Sequence, residues 1–178
     1  PLWNVDSYPN LSQAQDSPKG QRQLMVRLSD LTPADAQHLL SKDCPQFETE
    51  PFVDGPGLSK RRVAIVTTAG LHLGSETSFE LRDTGYRVLP GDAPTDHIMM
   101  SHTSVNFDRS GFQQDMNTVF PIDRLRELQD VGEVGSVADF HYSLMGAGWE
   151  PHEIEETAHQ IAGLLREDQV NAALLVPV

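Results

Sequence analysis

The 178 residues are 38% hydrophobic and 22% charged, enough for one domain with a sizeable core and too few for two full domains. A formal net charge of -13 and a pI near 4.7 exclude nucleic-acid phosphate and an anionic membrane surface as partners, because both would repel the chain. The single cysteine, Cys44, excludes an internal disulfide and a thiolate-rich metal site; no apolar stretch reaches the roughly 20 residues of a membrane span and the amino end is too polar for a secretory leader, so the expected location is the cytoplasm.

In chain order, residues 1–58 read as an irregular N-terminal extension and linker. Leu24 to Leu28 is a short strand candidate, and Thr32 followed by Pro33 gives N-cap and first-turn signals for a helix to about Ser41. Asp54-Gly55-Pro56-Gly57 is a break, and the main domain is placed at 59–178. Its first strand is Val63-Ala64-Ile65-Val66-Thr67, β-branched and apolar on both faces, opening into the loop Thr68 to Gly74. Tyr86 to Leu89 and His97 to Met100 are further strands. Pro121 starts a helix expected to bury Ile122, Leu125 and Leu128 and to end near Gly132. From Pro151 to about Arg166, Ile154, Ala158, Ile161 and Leu165 recur at helical spacing, with glutamates gathered at the positive N-terminal end. Asn171 to Val178 then reads as a buried strand, which a right-handed crossover would pair with the strand at Val63. The expected fold is α/β: three layers around a largely parallel, Rossmann- or flavodoxin-like sheet.

Polar residues that could carry chemistry are densest from Ser101 to Asn117, including His102, Asn106, Asp108, Arg109, Asp115 and Asn117. That is enough to orient a polar substrate and supply a base. His72 follows a strand end, where reactive groups collect in open α/β sheets. His141 and Ser143 lie in a run of alternating small and aromatic residues and read either as core or as a site wall. His72, His102 and His141 have no HxH or HExxH spacing, so no metal is assigned. No GxSxG elbow, Walker lysine or GxGxxG pattern is present.

Taken in order, VAIVTTAGLH (Val63 to His72), YRVLPGD (Tyr86 to Asp92), Ser101-His102, Asp108 to Gly111, DMNTVFPIDRL (Asp115 to Leu125), GEVG (Gly132 to Gly135) and HYSLMG (His141 to Gly146) resemble the selenoprotein B family of glycine, sarcosine and betaine reductases, which includes the B subunit of D-proline reductase. The resemblance covers about Ser59 to Val178. It implies a redox subunit in which a selenocysteine, or a cysteine in its place, attacks the carbon bearing an amine on a substrate activated by a pyruvoyl group of a partner subunit. A dithiol or thioredoxin-type donor then restores the nucleophile. A selenolate suits this because it is ionised at neutral pH and leaves more readily than a thiolate.

In the family that residue lies in a U/C-x-x-C type motif just after the strand matching Ala173 to Val178, and nothing in this chain matches it. The expectation is an in-frame UGA after Val178 that was read as stop, leaving a truncated chain inactive as a reductase; a cut at that point and loss of the motif in the lineage are the alternatives. His102 and His72 are then the candidate proton donors, with Asp115, Asn117, His141 and Ser143 as substrate-binding candidates for a small amine or amino acid. No cofactor is expected within the chain itself. The competing reading is a non-catalytic binding or scaffold subunit docking through an exposed sheet edge, and a sheet lacking its last strands would favour a homodimer.

Overall fold

The computed structural model describes residues 27–41, 52–105 and 107–178. Cys44, Asn106 and the first three residues of the strand proposed at Leu24 lie outside the described residues. The chain divides into two units, Pro1–Cys44 and Pro45–Val178. In the first, the helix signalled by Thr32-Pro33 forms as α1 (Pro33–Leu40), and the Thr32 hydroxyl accepts the Asp35 N–H at 3.2 Å. Leu28, expected to end a strand, instead opens a 3-10 turn, Leu28–Asp30, because the Arg27 N–H is taken by the Asp30 carboxylate at 2.9 Å.

The second unit runs β1 (Arg62–Thr67), β2 (Leu71–Leu73), β3 (Tyr86–Pro90), β4 (Ile98–Met100), α2 (Ser110–Gln114), α3 (Ile122–Asp130), β5 (Ser136–Val137), β6 (Phe140–Leu144), α4 (Glu155–Glu167) and β7 (Ala172–Val176). β1 is the organising strand. It pairs in parallel with β7 from Val63 opposite Ala172 to Thr67 opposite Val176, the pairing expected of the crossover. Its other edge is shared in parallel by β5 near Arg62 and by β6 near Val66. β3 adds antiparallel to β6, so the sheet is mixed and mostly parallel. β4 joins β2 in a separate antiparallel pair and not the main sheet.

Alternation along β1 sends Val63 and Ile65 into a cluster with Ile122 and Leu125 of α3, while Val66 packs with Tyr142, Leu144 and the α4 residues Ile161, Leu164 and Leu165. Burying a side chain such as Ile65 contributes about 2 kcal/mol. Leu128 departs from expectation and is 42% exposed. Steps of three residues regress about 60° around a helix, so Leu128 has turned off the face that Ile122 defines. Gln129, seven residues from Ile122, takes its place and accepts the Val137 N–H through Oε1 at 2.6 Å. Ala158 is also exposed, because α4 meets the sheet through Ile161, Leu164 and Leu165 in its later turns; its first turn is preceded by a 3-10 turn, Pro151–Ile154.

β7 is not the doubly buried strand the apolar run suggested. Leu174 is 39% and Leu175 67% exposed, since β1 is the only strand with which β7 pairs among the described residues.

Candidate functional site

The carboxyl ends of β1, β6 and β7 meet in one place, tied together by backbone. The Gly70 N–H donates to Leu144 O at 2.9 Å, the Thr68 N–H to Val176 O at 3.1 Å and the Val178 N–H to Thr68 Oγ1 at 2.8 Å. The Ser101 N–H donates to Gly70 O at 2.9 Å, which lays the segment holding His102 against this junction. Two glycines allow the approach. Gly70 has φ +65, and a Cβ there would lie 3.1 Å from the His102 nitrogen. A Cβ at Gly146 would lie 2.7 Å from both Thr68 O and Val178 O and 2.9 Å from His102 Nε2.

His102 is therefore at the crossing of three strand ends, and only 5% exposed. Its Nδ1 accepts the Ser104 N–H at 3.2 Å, which places the neutral ring's proton on Nε2, and Nε2 is buried with no hydrogen-bond partner among the described residues. The ring rests on Phe107 at 5.0 Å. Burial first, and then the nearby Arg109 guanidinium, push the His102 pKa below the ordinary histidine value. Arg109 Nη2 donates to the carbonyls of His102 and Ser104. No carboxylate pairs with Arg109 among the described residues, because the adjacent Asp108 accepts the Ser110 N–H instead, at 2.9 Å. Arg109 was visible in the sequence as one member of a polar run and of the Asp108 to Gly111 segment; its bond to the His102 carbonyl comes from the fold.

The other sequence-derived candidates occupy different places. His141 and Ser143 point the same way from β6 and are wholly buried. The His141 Nδ1 accepts the Ile65 N–H at 2.9 Å, and the Ser143 hydroxyl accepts the Leu71 N–H at 2.7 Å. The imidazole thus serves a β1 donor at the gap where β1 passes from β5 to β6 and no strand carbonyl is in register. Asp115 and Asn117 are bound to each other: Asp115 Oδ1 accepts the Asn117 N–H and side-chain amide, both at 2.9 Å. The Asn117 carbonyl oxygen in turn accepts the Asp123 N–H at 3.0 Å and caps α3. Asn117's side-chain and backbone donors hold the Asp115 carboxyl below the usual carboxylate range. His72 Nδ1 lies 2.8 Å from Leu73 O, to which it donates; no hydrogen bond or ring contact joins His72 to His102 among the described residues. No group of three His, Cys, Asp or Glu suited to a metal occurs among the described residues, and none of their helices is long and apolar enough to cross a membrane.

The His141 assignment has a measurable consequence. Burial, with a smaller contribution from Arg126, pushes its pKa from 6.5 to about 4. A depressed histidine favours the neutral form in the folded chain, so its stabilisation is complete above the unfolded value of 6.5 and is lost as pH falls toward 4. Urea unfolding at stepped pH should show a loss of about 3 kcal/mol from this group over that window. His141→Asn, whose Oδ1 can take the Ile65 N–H, should flatten that slope while staying folded. An unchanged slope in His141→Asn would remove the histidine as its source.

Comparison with known proteins gives a consistent result. The family model described as glycine/sarcosine/betaine reductase selenoprotein B matches residues 45–178. The chain is 38% identical over 120 residues to D-proline reductase subunit gamma of Acetoanaerobium sticklandii, a match covering 66% of this chain and 49% of that protein. It is 29% identical over 128 residues to betaine reductase complex component B subunit beta of Peptoclostridium acidaminophilum, covering 66% and 28%. Against glycine reductase complex component B subunit gamma of Carboxydothermus hydrogenoformans it is 28% identical over 124 residues, again covering 66% and 28%. The chain thus spans about half the length of the first relative and 28% of the other two. No solved structure matches.

Proposed function

The chain belongs to the glycine/sarcosine/betaine reductase selenoprotein B family, and from that premise we propose that it acts as a B-type subunit of an amino-acid reductase complex, cleaving a carbon–nitrogen bond with dithiol electrons. The observation that carries the reading is His102, a buried imidazole whose unpartnered Nε2 stands beside Gly146 and the Val178 carbonyl at the joined ends of β1, β6 and β7. A selenocysteine following Val178 and a pyruvoyl group on a partner subunit would supply the nucleophile and the substrate activation. An orphaned, proton-bearing nitrogen at that strand end fits such a neighbour.

This chain's own residues hold and move the proton. His102 carries it at Nε2. Burial and Arg109 keep the ring neutral at rest; to act as an acid it takes a second proton at Nδ1, releasing the Ser104 N–H, and the imidazolium so formed gives its Nε2 proton to a leaving amine more readily than free histidine does, returning to a neutral ring protonated at Nδ1. The Arg109 cation, which pairs with no carboxylate among the described residues, offers a partner for the carboxylate of an amino-acid substrate. His141 supports the floor through β1 and Ser143 through β2, Asp115 and Asn117 shape the entry to α3, and His72 on β2 is the second proton-donor candidate, its Nδ1 proton held by Leu73 O. For the complete fold we propose a three-layer arrangement, supported by α3 and α4 packing with different clusters on β1 and β6, with residues 1–58 as an extension.

Isolation of the native complex followed by intact-mass analysis tests this. A co-purifying subunit whose mass shifts on phenylhydrazine treatment, as a pyruvoyl carbonyl would, is the expected result. A complex with no such subunit would overturn the reading. The edge of β7 away from β1, unpaired among the described residues and with Leu174 and Leu175 exposed, favours a second reading as a scaffold subunit, for which an unrelated partner is the expected outcome. A thioredoxin-type donor and a homodimer are partners the same measurement would detect.

A further inference from the structure

The His102 imidazole is shut away from solvent: its Nε2 is buried and turned toward Gly146, where a Cβ would lie 2.9 Å from it. A group that hands a proton to a solute needs a way in. The cover on the Gly146 side is short and irregular. Residues 146–150 form no helix or strand and join Met145, which is bridged to Ala69, to the 3-10 turn Pro151–Ile154. Two of these five residues, Gly146 and Gly148, are glycines, and Gly148 has φ +93. The Trp149 Nε1–H donates to Met145 O and folds the segment back on the end of β6. Its far end is closed by Glu153, whose carboxylate accepts the Glu150 N–H at 2.6 Å.

Arg82 holds this segment from outside. Its φ of +62 lies in the left-handed region, which an L side chain disfavours. In that conformation its backbone nitrogen comes within 3.1 Å of the place a Gly148 Cβ would occupy, and its Nη2 donates to both Glu153 oxygens, at 2.8 and 3.1 Å. The loop that carries Arg82 is a fixed post. The Phe79 N–H donates to Oγ of Ser101, the residue before His102, at 2.8 Å, and Thr84 O accepts the Thr157 hydroxyl of α4 at 2.7 Å. An ion pair whose arginine side chain is 62% exposed is thus set against a strained backbone, a balance that small changes tip. We infer that residues 146–150 are a lid over His102, hinged at Gly146 and Gly148 and latched by the Arg82–Glu153 pair, and that release of the latch admits a small solute to Nε2. The lid governs access and rests on the reading of His102 as the site.

Carbethoxylation of the full chain by diethyl pyrocarbonate at neutral pH, read histidine by histidine through peptide mass spectrometry, tests it. The exposed His159 and the wholly buried His141 serve as internal references. Arg82→Gln and Glu153→Gln, the second of which keeps an oxygen for the Glu150 N–H, should each speed labelling of His102 about threefold, the reach of one exposed ion pair, while His141 stays protected. Raising salt from about 0.02 M to about 0.5 M should speed it comparably in the wild type by screening the pair, and should have no such effect in either variant. Gly148→Ala, whose Cβ would crowd the Arg82 backbone, should also speed labelling but keep the salt response, since both charges remain. A His102 rate in Arg82→Gln equal to that of the wild type, a salt response that persists in both charge variants, or labelling of His141 in step with His102 would each overturn the lid. The label needs neither substrate nor partner subunit. A complex without a pyruvoyl-bearing subunit would therefore overturn the proposed reaction and leave the lid standing, and failure of the lid would leave the part of His102 in turnover to its own test.

Discussion

Replacing His102 with alanine in the assembled reductase complex should lower turnover by about 10²-fold or more, the usual contribution of a positioned proton donor. Two further substitutions separate chemistry from support. His102→Asn can keep an acceptor for the Ser104 N–H, which Nδ1 now takes at 3.2 Å, while abolishing Nε2. His102→Gln extends an amide toward the position of Nε2 without a titrating group. If the ring delivers a proton as imidazolium, both variants should be slow and equally folded, and only the wild type should gain turnover as pH falls, because its depressed pKa leaves little imidazolium at neutrality. Wild-type-like turnover in His102→Gln would reduce the residue to a hydrogen-bond donor. A pH profile shared by all three proteins would show that no titration of His102 matters.

The largest expected effect on stability lies at the other end of β1. Arg62 and Asp168 form a partly buried clasp: Nη2 reaches Asp168 Oδ1 at 2.5 Å, Nε reaches the Asp168 carbonyl at 2.7 Å, and Nη1 reaches Val137 O at 2.8 Å. The second Asp168 oxygen accepts the Asp139 N–H at 3.1 Å. One residue after α4 thereby fastens the start of β1 to the turn between β5 and β6. Asp168→Ala should cost about 3 kcal/mol, since it removes two charge-assisted bonds from Arg62 to the carboxylate and the acceptor of the Asp139 N–H, although Arg62 keeps the residue-168 carbonyl, Val137 O and Asp139, and should lower the melting temperature by roughly 10 °C. Burial works against the Asp168 charge, but the Arg62 hydrogen bond and charge outweigh it and hold the carboxyl below its ordinary value. Its contribution is accordingly present above the unfolded carboxylate range and lost as pH falls through the folded value. Asp168→Asn should lose less than alanine and should lack that acid-limb dependence. A loss below about 0.5 kcal/mol in Asp168→Ala, measured by urea unfolding at neutral pH, would class the clasp with ordinary surface pairs.

How far the chain could be read before its structure depends on how local each signal is. Val63 to Thr67, the Pro121 helix and the helix after Pro151 carry their own patterns, and all form; the parallel pairing of β7 with β1 also follows from a strand–helix–strand order. What could not be read depends on distant partners. Ile98 to Met100 has strand chemistry, but only the position of Leu71 to Leu73 decides that it pairs outside the main sheet. Ser136-Val137 is too short to announce itself. His141 carries no sign that its ring would stand in for a missing strand carbonyl at Ile65. His102 was recognisable by residue type and setting. That it faces Gly146 and Val178 emerges only when three strand ends, far apart in sequence, are brought together.

That long-range assembly sets the order in which the molecule can form. β1 bonds to residues as many as 109 positions later, as between the Arg62 N–H and Asn171 Oδ1. During synthesis at about 5–20 residues per second, the apolar Val63 to Thr67 segment emerges from the ribosome some 5–20 s before its β7 partner exists. Until then its neighbour on that side can only be solvent, a chaperone or a strand of another nascent chain. Slow, non-local closure of this kind favours late folding over early, and codon usage between β1 and β7 should affect the yield of native protein more than codon usage after β7 begins.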